Sequence, residues 1–394
     1  MSRAARSSRM FSSRFRWDVR PNRLTQAIEA KRRAGAPLLD LTESNPTHAR
    51  LEYPPEILRA FEDDRMLVYE PAPAGARQAR DAVAEHYAAR GCRVAAERIL
   101  LTASTSEAYA YLFKLLCNPG DQVLAPRPSY PLFEFLANLE SVEVRQYPLA
   151  YHGGWGIDAD AVADALTAGT RAVVLVNPNN PTGSYVKRGE LAGLVKLCAE
   201  RGMALISDEV FADFPLGSDA GRVSTLAGVE GCLTFSMSGL SKIAGLPQMK
   251  LGWIVASGPP DLRREAIEKL EWIADTYLSV STPVQCAAAR LLAAGEVVRQ
   301  QIRERCAAHL AMARETLAGS AANLLAVEGG WYITLQVPRV RSEEEWALEL
   351  LEGDNVLVQP GFFYDFESEA FLVVSLLTEP EVFGEGMRRL RKRF

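Results

Sequence analysis

Lys242 stands in the stretch Ser238-Gly239-Leu240-Ser241-Lys242, followed by Gly245-Leu246-Pro247 and then by Lys250-Leu251-Gly252-Trp253. A primary amine lies here among hydroxyls and glycines, with a second cation eight residues on. These are the parts that Schiff-base chemistry needs. The amine can condense with an aldehyde cofactor, while Ser238, Ser241 and the Lys250 charge can hold the cofactor's phosphate. Taken alone, the same stretch also fits a solvated surface loop.

Four further signals carry possible chemistry. Ser104-Thr105-Ser106 stands where an apolar strand ends and a helix begins. Free backbone N–H groups, the helix dipole and the hydroxyls make that an anion site. Serine and threonine are equally at home there as a plain helix cap. Asp208 follows a buried strand and can hold a positive charge such as a protonated pyridine nitrogen; a helix cap or a surface ion pair is the plainer use. Asn180 lies in a rigid Asn-Pro-Thr-Gly turn, where it either donates to a phenolic oxygen or only serves the turn. Tyr130, in Pro128-Ser129-Tyr130-Pro131, can stack on a flat ring or pack as an ordinary loop aromatic.

The elements around these residues alternate between helix and strand, which points to an α/β fold with a mostly parallel sheet. Arg77–Arg90 reads as a helix ended by Gly91. Arg98–Thr102, Gln122–Ala125, Ala172–Val176, Ala204–Ser207 and Leu233–Ser236 read as strands, the third being an apolar run suited to burial on both faces. Glu107–Leu116 and Glu190–Arg201 read as helices. Thr105, Asn180, Asp208 and Lys242 therefore fall at or just beyond strand ends, where ligands of open α/β sheets gather. Residues 51–280 are expected to form a large cofactor domain. Residues 1–50, an N-terminal arm and part of a small domain, would lie beside 318–394, the small-domain part of the remaining stretch 281–394. That last stretch is read as a long helix, Gln285–Leu317, followed by strands at Trp331–Val337 and Phe371–Leu376.

The 394 residues allow two domains, and 24% charged residues is ordinary for a globular chain. A net charge of −5 argues against nucleic acid or an anionic membrane as partner. No apolar run reaches membrane-spanning length. The six cysteines have no CxxC spacing and read as reduced, mostly buried thiols of a cytoplasmic protein. The four histidines lie far apart, so no metal site is expected. Met1–Arg16 is rich in Arg and Ser and lacks acids. It is read as a basic arm rather than a transit peptide.

Read together, these motifs resemble fold type I pyridoxal-phosphate enzymes, and within them the class I/II aminotransferases, from about Leu41 to the C-terminus. Thr102–Ala108 resembles the family's phosphate-binding turn, Asn177–Gly183 its Asn-Pro-x-Asn-Pro-Thr-Gly motif, Asp208-Glu209-Val210 its aspartate strand end, and Ser241-Lys242 its Schiff-base motif. The resemblance implies a mostly parallel, seven-stranded-type sheet flanked by helices, with a smaller α+β domain built from both chain ends. It implies that Lys242 binds pyridoxal 5'-phosphate and moves the substrate proton. Asp208 would keep the pyridine nitrogen protonated, Asn180 would bond the ring's 3-oxygen, and Tyr130 would stack on the ring. Ser104, Thr105, Ser106, Ser238, Ser241 and Lys250 would hold the phosphate. Tyr69 would reach the phosphate of a partner subunit, making a homodimer with shared sites.

Three positions depart from the family pattern. Lys250 stands where an arginine is usual, and lysine cannot form the bidentate fork. Phe211 stands where a tyrosine often donates to the 3-oxygen, so the Schiff base would keep its proton to higher pH. No arginine occurs between Arg341 and Arg388, and Val373 or a neighbour fills the place of the arginine that binds the substrate's carboxylate. Asn45, in Ser44-Asn45-Pro46, is the candidate substrate donor. The implied partners are an amino donor and a 2-oxo acid acceptor. A β-elimination lyase and a non-catalytic cofactor-binding module are the alternatives.

Overall fold

The computed structural model describes residues 11–14, 17 and 20–394. The reading of Met1–Arg16 thus falls largely outside the described residues. An eight-stranded sheet forms the centre, in the spatial order Ile99–Thr102, Gly252–Ser257, Thr234–Gly239, Ala204–Asp208, Thr170–Val176, Gln122–Arg127, Glu143–Tyr151 and Trp155–Ile157. The five strands from Thr234–Gly239 to Glu143–Tyr151 run parallel to one another. Gly252–Ser257 is antiparallel to both of its neighbours, and Trp155–Ile157 is an antiparallel edge. That three-residue edge strand makes the count eight, where the resemblance implied seven.

Alternation along the strands decides what covers each face. Val174 points to one side with Leu100, Ile206, Phe235 and Ile254. Helices Thr105–Leu116 and Pro260–Asp275 pack there through Leu112, Phe113 and Leu270. Val173 and Leu175 point to the other side with Leu124 and Leu205. Helices Ala159–Ala165 and Arg188–Arg201 cover that face through Val162, Leu194 and Cys198. Each such fully buried aliphatic side chain contributes roughly 1.5–3 kcal/mol.

The chain's two ends meet. Leu39–Asp40 pairs in parallel with Val356–Leu357, and the Lys31 ammonium donates to the Asn355 side chain at 2.5 Å. A four-stranded antiparallel sheet follows, in the order Asn323–Leu324, Tyr332–Gln336, Phe371–Ser375, Gln359–Pro360. The expected long helix is present as Thr282–Leu317. All six cysteines are free; Cys198, Cys232 and Cys306 are buried and the other three are half-buried. Among the described residues, no helix is long and apolar enough to cross a membrane, and no cluster of potential metal ligands occurs.

Candidate active site

Three neighbouring strand ends build the site. The helix after the first strand starts at Thr105, two residues before the expected start, because Ser104 is its cap: the Ser104 hydroxyl accepts from Glu107 N at 3.2 Å. Glu107 returns the favour by accepting from Ala103 N at 2.6 Å. The cap thus fixes Ser104 while the first amides of the helix, at Thr105 and Ser106, lack intrahelical acceptors. A Cβ added at Gly252 would lie 3.1 Å from the Ser104 carbonyl carbon and 3.1 Å from the Ser238 carbonyl oxygen. Gly252 therefore lies against both Ser104 and Ser238, and the positive helix end opens beside Ser104. Lys250, two residues before Gly252, is exposed and takes a left-handed backbone (φ 52°). Ser241 is half-buried, one residue before Lys242 on the four-residue helix Leu240–Ile243.

Lys242 and Asp208 lie at the middle of the candidate site. The Lys242 amine lies 4.9 Å from the ring centre of Trp331 and 5.5 Å from that of Phe211. Burial among these rings disfavours the ammonium and lowers the lysine to about 8, against a smaller upward pull from Asp208. Burial likewise lifts Asp208 to about 6, opposed by the Val210 amide, the Tyr109 hydroxyl and Lys242. The Tyr109 O–H donates to Asp208 Oδ2 at 3.2 Å, and Val210 N donates to Oδ1 at 3.2 Å. Taken over the whole residue, Lys242 and Asp208 are both half-buried.

Behind Asp208, fully buried Glu209 accepts from Ser207 at 3.0 Å, Thr225 at 2.6 Å and Leu226 N at 2.7 Å. These bonds spend its charge on anchoring the strand end. The Asn177–Gly183 turn is held to the same edge, because Asn177 N donates to the Asp208 carbonyl at 2.8 Å. Asn179 fills its own capacity inside the turn, donating to Pro128 O at 3.0 Å and Thr182 at 2.9 Å. Asn180 does not: its Oδ1 is buried without a partner.

The other sequence candidates are placed as follows. Tyr130 is 48% exposed, on a loop latched by Ser129 N to the Tyr364 carbonyl at 2.9 Å. Tyr69 is 72% exposed and stands away from the chain's own Lys242 centre, beside Gly75 and Ser279. Asn45 spends its carbonyl oxygen on a local turn, accepting from Thr47 N at 3.1 Å and Thr47 Oγ1 at 2.8 Å. Its stretch nevertheless reaches the site, since Tyr53 O–H donates to the Gly245 carbonyl at 2.7 Å. Leu372 and Val373 are buried and bring no cation to their strand. A cavity of about 930 Å³ reaches this region through Ser129, Tyr130 and Tyr364 and is not lined by Lys242 or Asp208.

Sequence reading missed Tyr109 and Trp331. The signal for Tyr109 was present: it lies four residues after Thr105, on the same helix face. Trp331 carried no local signal, because it arrives at Lys242 from a distant part of the chain.

A family model described as aminotransferase class I and II matches residues 36–387. A glutamate-pyruvate aminotransferase of Escherichia coli K12 is 33% identical over 214 residues, covering 54% of this chain and 53% of the relative. Barley (Hordeum vulgare) nicotianamine aminotransferase B is 30% identical over 274 residues, covering 67% of this chain and 48% of the relative. The chain thus spans about half the length of these two curated relatives. Among solved structures, an alanine aminotransferase from Pyrococcus furiosus superposes with a TM-score of 0.85 at 22% identity, over 94% of this chain and 95% of the other. This likeness shows the fold. With most of its length matched by the family model, the chain belongs to the class I and II aminotransferases.

Proposed function

We propose that this protein transfers an amino group from an amino acid or related amine to a 2-oxo acid, with Lys242 as the attachment and proton-transfer residue. Enzymes of this family use pyridoxal phosphate. The chain's residues fit that group. The cradle at Gly252, which lies against Ser104 and Ser238 beside a helix N-terminus, suits a phosphate dianion. The observation that carries the reading is the seat of Lys242, whose amine lies over the Phe211 and Trp331 rings just beyond the strand that pairs with the one ending at Asp208.

The bound cofactor supplies an aldehyde for amine exchange and a ring that accepts electrons. The protein's residues do the rest. Lys242 Nζ, as the neutral amine, would take the proton from the substrate's Cα and hold it as the ammonium. The Phe211 and Trp331 rings exclude water around Nζ and keep its basicity low enough for that transfer. Asp208, its carboxylate bonded by Tyr109, would pair with the ring nitrogen of the bound cofactor. Ser104, Thr105, Ser106, Ser238, Ser241 and Lys250 would hold the phosphate, the Asn180 side-chain nitrogen would donate to the ring oxygen, and Tyr130 would stack on the ring. The elimination alternative finds no support in the aminotransferase names of the relatives.

Residues 51–280 serve as the cofactor domain, and both chain ends form the smaller one. The active form is a cytoplasmic homodimer. Leu58, Leu67, Val68, Tyr69 and Trp272 are each more than half exposed, an apolar load consistent with a covered face. Tyr69 then serves the partner's phosphate. Substrate recognition differs from the family habit, because the Phe371–Ser375 strand offers no guanidinium; Asn45 is one donor to the substrate.

The test is a visible spectrum of the purified holoenzyme, followed by a panel of L-amino acids and other primary amines without any keto acid. A donor that converts the cofactor stoichiometrically to its amine form supports transamination. A panel without effect on the spectrum refutes it. Lys242→Ala is expected to abolish turnover and the covalent link; retained activity overturns the assignment.

A further inference from the structure

Asp213 is a carboxylate inside the protein, 4% exposed, that the chemistry above does not use. It sits five residues after Asp208, at the far end of the turn that carries Phe211. Two helices bring an imidazole and three guanidinium groups to it. From Arg77–Ala89 and its cap come His86 Nε2 at 3.5 Å and Arg90 Nη1 at 3.5 Å. From Thr282–Leu317 come Arg299 Nη1 at 3.9 Å and Arg303 Nη2 at 3.9 Å, and Arg303 Nε also donates to the Asp213 carbonyl at 2.7 Å. Burial alone would raise this carboxyl; His86 and the guanidinium groups hold it well below the usual range.

Arg299 does something the other cations do not. It is 7% exposed, and its Nη1 also donates to the Ile243 carbonyl at 3.4 Å. Ile243 is the residue after Lys242. One guanidinium therefore touches both the lysine helix and the Asp213 turn. That turn in turn builds the lysine's surroundings. Phe211 and Phe214 pack edge-on against Trp331 at 5.2 and 5.1 Å, and the Lys242 amine sits over Phe211 and Trp331.

We propose that Arg299 is a positioning residue for Lys242, tying the Ile243 carbonyl to the Asp213 turn so that the amine stays seated against Phe211 and Trp331. This rests on Lys242 being the attachment amine. The charged group acting on Lys242 from the packed elements is Asp208; Glu209 turns away to Ser207, Thr225 and Leu226. Loosening the tie admits water around the amine and restores ordinary lysine basicity.

The experiment labels the cofactor-free protein with a reagent that attacks neutral amines and follows the Lys242 peptide by mass spectrometry across pH. Wild type is expected to show a midpoint near 8. Arg299→Lys keeps the charge but loses the two-ended reach, and the midpoint should rise by about one pH unit. Asp213→Asn separates positioning from plain electrostatics. Losing a negative charge would by itself lower the lysine's midpoint, whereas losing the tie raises it. Lys269, exposed on another helix, should label identically in every variant. A folded Arg299→Lys protein whose Lys242 midpoint stays near the wild-type value overturns the proposal, as does a fall in Asp213→Asn; either variant suffices if the other does not fold. The readout needs no cofactor, so it fails separately from the aminotransferase reading, which stands or falls on the holoenzyme spectrum.

Discussion

Asp208 and Lys242 are shifted in opposite senses by one cause. Burial pushes each toward its neutral form, while their mutual attraction favours the charged pair. Tyr109 tips that balance for Asp208, since its hydroxyl bond favours the carboxylate. Tyr109→Phe should raise the Asp208 value further, leaving more of it protonated near pH 6. Cofactor affinity, measured by titrating the cofactor-free protein, is then expected to fall several-fold at pH 6 and less at pH 8. Equal loss at both values would count against the bond's role. Asp208→Asn should drop the Lys242 labelling midpoint below 8, because it removes the group that pulls the lysine upward. An unchanged midpoint would show that the two do not interact. The placement of Asp208 and Lys242 at strand ends was legible because each follows an apolar run. The second layer was not: Tyr109 and Trp331 meet Asp208 and Lys242 only through tertiary packing, on which local spacing is silent.

Strand ends set the site's dimensions, and close backbone approach sets the strand ends. Gly239 is extended, so any residue could adopt its backbone, yet a Cβ there would lie 2.8 Å from the Leu251 carbonyl oxygen and 3.0 Å from Gly252 Cα. Both neighbours are main chain and cannot swing away. Gly239→Ala should cost about 1–3 kcal/mol in chemical denaturation. It should also weaken binding of the phosphate-bearing cofactor, because the displaced strand carries Gly252 away from Ser104. A neutral effect on both would mean that the strands separate freely. The strands around the site were readable as apolar runs bounded by turn residues. Glu143–Tyr151 escaped because it lies near the sheet's edge, mixes exposed and buried positions and contains Pro148. Gly252–Ser257 escaped because it follows the lysine loop directly and runs against its neighbours.

At the scale of the whole molecule, the site is maintained at the expense of stability. The native Lys242 value lies below its unfolded value. Its ionised form therefore destabilises the cofactor-free fold below about pH 8, and this cost fades as pH rises to 10.5. Lys242→Met is expected to raise the melting temperature of the cofactor-free protein at pH 7 by roughly 1–3 °C, with the gain vanishing above pH 10.5. A pH-independent gain would assign the effect to packing alone. The α/β class and the joining of both chain ends were legible from the order of elements. The docking of residues 327–331 was not. A Cβ at Gly183 would lie 2.4 Å from Val327 Cγ2 and 2.5 Å from the Gly329 carbonyl oxygen, and Glu328 N donates to the Gly183 carbonyl at 3.2 Å.

That docking places a late-made segment against an early one. During synthesis the sheet strands through Gly252–Ser257 can leave the ribosome and pair while Trp331 is still untranslated. Until then Lys242 lacks one of its two aromatic walls, and its amine titrates as a more ordinary, more hydrated lysine. Nascent chains stalled before Trp331 would therefore carry the reactive amine without its tuned basicity. The Trp331 wall over Lys242 is thus set only after the chain has grown past residue 331.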